Sequence, residues 1–326
     1  MLKKIRVLPL AAESLGTRSM CTFVETKDVK VLLDAGVSLA PLRFRLPPHP
    51  REFEAIRESR ERIRVKATEA DVVTISHYHF DHHTPSFTDW FSNWSSPEIA
   101  QEIYDDKQVL IKNYKNHINS SQRRRGWVFT QTGGKHTKKL EVADGKAFQF
   151  GDTVLRFSEP VSHGSEDAFL GWVLTTTIVC ESEKLVFAPD VQGPMYDSTM
   201  NTIIEEQPQL LIIGGPPLYL AGFRVDETQI NDGLERLKRL VGAVPLTVVE
   251  HHLLRAENWR EQCKGIFETA REARHKVVSA AEFLGKEDKL LEARRKQLFE
   301  AEPPGKGFMR WTKISMPARK LVKPPV

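Results

Sequence analysis

The chain has 326 residues, 40% of them apolar and 28% charged, which excludes a disordered polymer and fits one large or two modest domains. Its 47 Lys+Arg against 43 Asp+Glu leave a net charge of only +4, too little to define a partner by itself. No run of about 18 apolar residues occurs, and the best one, Leu210 to Phe223, contains Pro216 and Pro217, which argues against a membrane-spanning helix.

Read in chain order, the first 35 residues are strand-like. Lys4–Leu8 is short and apolar, and the Val7–Ala12 stretch is too short for a secretory signal before it meets Glu13. Cys21–Val24 and Val29–Leu33 flank a polar turn and predict a hairpin. Pro41 to Pro50 leads into Arg51–Lys66, rich in Glu and Arg and helical in propensity. Asp71–Ser76 is a β-branched run. Residues 97–139 read as a helix, a polar loop and turns. Strand-like runs return at Thr153–Phe157, Leu170–Cys180, Lys184–Ala188, Leu210–Ile213 and Leu246–Val249, with a helical pattern around Asp226–Leu240. Asn258–Ala273 and Ala280–Phe299 carry helical apolar spacing. Strands first, then strands mixed with helices, suit two sheets packed together with helices outside. Cys21, Cys180 and Cys263 are far apart without a CxxC, so they read as small buried hydrophobes of a protein in a reducing cytoplasm.

The most informative segment is Ser76-His77-Tyr78-His79-Phe80-Asp81-His82-His83. A shuffled chain of this composition would contain HxHxDH roughly 0.0006 times. A polar loop of satisfied histidines is the bland alternative. Metal ligation explains more: a strand ending at Ser76 sends His77 and His79 to one side, since extended residues alternate. The following turn swings Asp81 and His82 round to a second position. Further ligand-type residues sit at strand-to-loop junctions, namely His163, Asp190, and the adjoining His251 and His252.

These residues together resemble the metallo-β-lactamase superfamily, in the order HxHxDH, lone His163, Asp190, His251, over roughly residues 1–260. More narrowly, SHYHFDHH, the SHG and APDVQG segments, IGGPPLYL and EHHLLR resemble one archaeal family of hydrolases with that fold. The resemblance implies an α/β fold, a four-layer αββα sandwich of two mixed β-sheets flanked by helices. It implies one domain over 1–326, with a basic insertion at about 97–139 and C-terminal helices plus a basic tail at about 258–326. It places one metal on His77, His79 and His163, another on Asp81, His82 and His251, and Asp190 between them. Asp34, in Leu33-Asp34-Ala35-Gly36, matches an Asp that supports the site. Strand register favours His251 over His252 as the ligand, with His252 beside it. His83 reads as a helix-surface or supporting residue. His49, His117, His136 and His275 read as ordinary surface groups.

All the candidate ligands are N or O donors, which suits two Zn²⁺ ions and accommodates Mn²⁺ or Fe²⁺. A histidine rather than an acid at position 79 favours hydrolysis over di-iron redox chemistry. Two such ions would generate hydroxide near neutral pH and polarise a substrate oxygen, with Asp81 orienting the hydroxide. A metal-bound water, His252 and Tyr219, the last in the Gly-Gly-Pro-Pro loop after a strand, are candidates to protonate the leaving group; the loop reads equally as a structural turn.

Charge is unevenly spread. Lys107 to Lys139 holds nine Lys and Arg, among them Arg123, Arg124 and Arg125, and no acid, with Tyr114 and Trp127 inside it. The tail from Pro303 is likewise basic without an acid. A solvated surface explains this as well as polyanion binding does. The expected substrate is therefore an anionic molecule, a phosphodiester or nucleic acid, with no membrane partner. Ester, lactone or thioester hydrolysis on the same site is the alternative, as is a non-catalytic nucleic-acid-binding protein. The C-terminal helices are free either to cover a sheet or to join copies into a homo-oligomer.

Overall fold

A computed structural model describes residues 2–164 and 170–326. Strands β1 (Arg6–Pro9), β2 (Thr22–Glu25), β3 (Lys30–Leu33), β4 (Val72–Ile75), β5 (Gln108–Ile111) and β6 (Lys139–Val142) form the first sheet in that spatial order. The β1–β2–β3 meander is antiparallel, and β3 to β6 run parallel. After β6 come β7 (Ala147–Phe150) and β8 (Thr153–Phe157), then the short ribbon β9 (Val161–Ser162) and β10 (Trp172–Val173). Strands β11 (Thr176–Cys180), β12 (Glu183–Ala188), β13 (Leu210–Gly214), β14 (Leu246–Glu250) and β15 (Lys276–Val278) follow. They complete a second sheet in the order β15-β14-β13-β12-β11-β8-β7. It too is mixed, parallel from β12 to β15.

The central strands are apolar on both faces, and their alternate residues go to different cores. Leu33, Val72, Leu110, Leu185, Phe187, Leu210, Ile212 and Val248 meet between the sheets. Leu32, Val73, Val109 and Ile111 face outward onto helices α1 (Pro50–Glu69) and α2 (Pro97–Tyr104), through Phe53, Ile56, Ile63 and Ile103. On the other side Val186, Leu211, Ile213 and Val249 pack on α4 (Asp197–Glu206) and α5 (Glu227–Ala243), while α3 (Ser120–Gln131) lies between β5 and β6 in the chain. The result is helix–sheet–sheet–helix, the four-layer αββα sandwich. Among the described residues no helix is long and apolar enough to cross a membrane.

Several local expectations change. Residues 97–139 hold a helix, the interior strand β5 and a second helix, where a helix, loop and turns were expected. The apolar run 170–180 is divided: β10 pairs with β9 in the short ribbon, and β11 begins at Thr176 in the second sheet. The helix expected over 280–299 breaks in two. Ser279 caps Ala280–Phe283 with a capping box to Glu282, Gly285 (φ 69°) ends that turn, and helix resumes only at Arg295–Ala301.

His49 is not a surface group: only 2% of it is exposed. It caps α1, with Nδ1 accepting from Arg51 N and Nε2 donating to the Glu302 carbonyl (2.8 Å), while Glu52 returns a bond to the His49 N–H. His275 is half-buried and bonds the Val241 carbonyl through Nδ1, whereas His117 and His136 are exposed. The C-terminal segment is docked through Phe308 and Trp311, which pack against Phe53, and through Lys320 O, which accepts from Trp90 N.

Arg18 grips Glu292 with two hydrogen bonds of 2.6 Å, joining the N-terminal meander to this C-terminal segment. Burial pushes the Glu292 carboxyl up, but Arg18, with Arg255 and Arg295 near, holds it down from an ordinary 4.5 to about 2. A depressed carboxyl contributes stability above its ordinary pKa and loses it as pH falls through the folded value. Glu292→Gln should therefore lower the thermal unfolding midpoint at pH 7. The gap to wild type should close between pH 4.5 and 2 when melting is followed by circular dichroism.

Candidate metal centre

The carboxyl ends of β3, β4, β12 and β14, each parallel to at least one neighbour, open onto the same rim of the sandwich. In open α/β sheets that is where the chain leaves backbone free to present side chains to a crevice. Asp34 follows β3, His77 follows β4, Asp190 follows β12 and His251 follows β14. Asp34, Asp190 and His251 all leave their strands with left-handed φ (50°, 50° and 64°). Backbone so placed costs free energy and persists where the surroundings fix it, commonly at functional sites. Gly36 completes the first turn: a Cβ there would stand 2.4 Å from the His82 and His83 amide nitrogens, so only glycine lets the Asp34 loop pack on the motif loop.

Hydrogen bonds fix the imidazole tautomers. The Ser76 hydroxyl donates to Asp34 Oδ2 (2.5 Å), which leaves its oxygen to accept from His77 Nδ1 (3.0 Å) and frees His77 Nε2. His82 Nδ1 donates to Asp34 Oδ2 (2.8 Å), and His251 Nδ1 donates to Glu13 Oε2 (3.0 Å). Both therefore turn Nε2 inward. Such carboxylate–imidazole pairs orient metal ligands and raise their basicity.

These inward atoms converge on Asp190. Its Oδ2 lies 2.8 Å from His163 Nε2, 3.2 Å from His77 Nε2, 3.3 Å from His82 Nε2 and 3.8 Å from His79 Nδ1. Its Oδ1 lies 2.8 Å from His251 Nε2, and His251 Nε2 is 3.4 Å from His82 Nε2 and 3.5 Å from Asp81 Oδ2. Four overlapping groups of donors lie within 4.8 Å of one another: Asp34, His77 and His82; Asp190, His251 and His252; and the two expected sets, His77, His79, His163 and Asp190, and Asp81, His82 and His251. Metal bonds of about 2.0–2.1 Å in tetrahedral array put neighbouring donors roughly 3.3 Å apart. The observed spacings bracket that figure, and no sulfur intrudes, so either set could hold a divalent metal ion.

Electrostatics follow from the same geometry. Burial lowers His77 and His79. Burial alone would raise Asp190 and Asp81, but the surrounding imidazoles, His251 and His82 foremost, hold both carboxyls below their usual range. Asp190 overcomes the lowering effect of burial on His82, and Asp190 with Glu13 lifts His251 to about 9. Burial and the Glu13 carboxylate push Glu250, which ends β14, up to about 7.

His252 is turned differently from His251. Its Nδ1 stands 3.5 Å from Asp190 Oδ1, buried and with no hydrogen-bond partner among the described residues, and its ring lines the adjoining cavity. His83 belongs to the core, with Nδ1 on the His79 carbonyl and the ring against Tyr78, Phe80 and Phe129; burial pushes it down to about 3. The cavity, of about 460 Å³, is also lined by Arg18, Phe80, Asp81, Arg125, Tyr219 and Arg255. Arg123 and Arg124 do not line it. They precede Arg125 on α3, and at about 100° per residue the helix turns them to the exposed side.

Glu13 and Arg255 carry much of this geometry and have no motif of their own. Arg255 donates to Glu13 Oε1 through Nε (2.8 Å) and Nη2 (2.7 Å), and both side chains are buried. The spacing of Arg255 four residues after His251, one turn on in EHHLLR, was the available signal; Glu13 had none.

A profile of the Metallo-beta-lactamase superfamily matches residues 16–83, which end on the histidine motif. Over 90% of its length the chain is 46% identical to a UPF0282 protein of Methanopyrus kandleri, covering 99% of that protein. A UPF0282 protein of Korarchaeum cryptofilum is 38% identical over 94% of this chain and 98% of its own. The chain belongs to the UPF0282 family. Among solved structures, the UPF0282 chain is similar to the metallo-β-lactamase fold protein YhfI from Bacillus subtilis, at 14% identity and a TM-score of 0.49, over 85% of this chain and 97% of that one. The superfamily match ends on the histidine motif, and the His/Asp cluster around that motif could hold a divalent metal ion.

Proposed function

We propose that this UPF0282 protein is a hydrolase in which His77, His79 and His163 would hold one divalent ion and Asp81, His82 and His251 another, with Asp190 set between the two groups, and that it cleaves an anionic phosphodiester. Zinc fits the imidazole-rich set, and Mn²⁺ or Fe²⁺ are accommodated. What such ions supply when bound is a lowered pKa for water and a Lewis acid for the substrate oxygen.

The observation that carries the substrate class is Arg125. Its guanidinium lines the cavity, donates to the Tyr78 carbonyl (3.3 Å) and lies over the Phe80 ring, 4.5 Å from its centroid. Among the described residues it has no carboxylate within salt-bridge distance, whereas Arg18, Arg255 and Lys320 on the same wall are each paired with an acid. A half-buried cation with no carboxylate within salt-bridge distance among the described residues, Asp81 acting on it from farther off, is placed to receive an anionic oxygen. Asp81, at the cavity edge, is placed to orient water through its carboxylate. The Tyr219 hydroxyl accepts from Arg255 Nη1 (3.3 Å), which leaves its own proton available to a leaving group; His252 lines the same cavity.

The test is turnover of bis(p-nitrophenyl) phosphate against lactones, thioesters and p-nitrophenyl acetate, with Zn²⁺, Mn²⁺ or Fe²⁺ supplied. Phosphodiester cleavage is expected, and its absence with every metal overturns the reading. Arg125→Ala should raise KM for the phosphodiester by roughly 10- to 100-fold, the worth of a hydrogen bond to a charged group, with a smaller change in kcat.

A further inference from the structure

The wall containing Arg125 does not end at the cavity. Phe80 and Arg125 are shared with a neighbouring depression of about 240 Å³, which continues past Phe87 to Arg124. Arg124 is shared in turn with a third, open depression of about 400 Å³, formed by Tyr114, Lys115, Ser120, Arg123, Arg124 and Trp127. Helix α3 makes one side of this path. Its register places Arg123, Arg124 and Trp127 on the exposed face and Arg125 on the cavity side, so one helix serves both ends.

Two properties of the path bear on what it could hold. Lys115, Arg123, Arg124 and Arg125 have no carboxylate within 4.0 Å among the described residues, unlike Lys112 and Lys139 of the same basic segment, which pair with Asp144 and Glu141. Large rings are also left in solvent beside them: Trp127 is 54% exposed and Phe87 37%. Phe87 is held edge-on to Phe80 (centroids 5.4 Å apart), and Arg125 lies over Phe80. Cations alone would suit any polyanion. Exposed aromatic faces alternating with unpaired cations suit a ligand that carries both phosphates and accessible planar bases.

We infer that α3 and the Phe80–Phe87 turn form a track for single-stranded nucleic acid, whose bases stack on Trp127 and Phe87 and whose phosphates meet Arg123, Arg124 and Lys115 while the strand enters the metal cavity past Arg125. This rests on the phosphodiester reading of the cavity and narrows it. A duplex has its base faces already stacked and lacks the feature the exposed rings recognise. An acidic peptide would use the cations and leave the rings idle.

Fluorescence anisotropy of the full chain with 5′-fluorescein-labelled rU12 and dT12, at low salt, tests the assignment, the two strands separating a ribose from a deoxyribose preference. Trp127→Ala, an exposed position whose loss leaves the core intact, should weaken strand binding by about tenfold, the worth of one stacked base. Arg123→Ala combined with Arg124→Ala should flatten the slope of log affinity against log salt by about 0.7 for each phosphate no longer neutralised. A 12-base-pair duplex and heparin should bind less tightly than the single strand and be insensitive to Trp127→Ala. No strand binding, or equal binding of all four ligands with no effect of Trp127→Ala, overturns the track. Turnover of bis(p-nitrophenyl) phosphate by the unaltered chain is scored separately: cleavage without strand binding removes only the track, and strand binding without cleavage removes only the phosphodiesterase reading.

Discussion

Replacing His79 with alanine is expected to strip at least one tightly held metal ion from the chain and to lower turnover by roughly 100-fold or more, the lower bound set by what lost supporting partners of ligands already cost. The fold should survive. His79 is the most exposed histidine of the cluster, with a side chain about one-quarter accessible while those of His77, His82 and His251 are fully buried. Its loss opens the site to water and orphans no buried group. Metal content by elemental analysis, read beside far-ultraviolet circular dichroism, checks this. His83→Ala is the control from the same motif: its ring fills space between Tyr78, Phe80 and Phe129, so it should lose stability and keep its metal. Full metal content in the His79 variant would refute the ligand set.

The second large effect is expected at Glu13. Glu13→Leu removes the partner of a buried guanidinium and the anchor of His251 Nδ1 in one change. An uncompensated buried charge costs about 3–5 kcal/mol, readable as a lower midpoint in urea unfolding. Glu13→Leu with Arg255→Met should recover most of that stability, because removing both ions removes the orphan. Metal affinity should nevertheless stay about 10- to 100-fold below wild type in the double variant, since nothing then fixes the His251 ring. Recovery of affinity together with stability would show that the pair serves folding alone.

Much of the architecture could be read from the chain. Strand runs such as Val72–Ile75 and Leu210–Gly214 are apolar on both faces, a pattern that only buried parallel strands need. The candidate ligands were legible for a related reason: His77 and His79 alternate off a strand end, and Asp190 and His251 each follow an apolar run. What stayed hidden depends on the meeting of distant residues. Glu13 meets His251 across 238 positions, and local pattern says nothing of that. His49 looked like a surface histidine because imidazole is an uncommon helix cap, and only the fold brings Glu302 O to its Nε2. The basic tail was read by charge alone, yet Lys320 pairs with the fully buried Asp89 and Arg319 lies over Phe91, so part of that charge is spent on docking. The nine cations between Lys107 and Lys139 likewise divide, Lys112 being buried on Asp144 and Arg125 turned to the cavity.

The donor atoms are contributed by both halves of the sandwich. His77, His79, Asp81 and His82 are carried by the first sheet, and Asp190 and His251 by the second. A cation seated among them would rivet one half to the other at its rim, so chelation and slackening of the seam between the halves would be a single mechanical event.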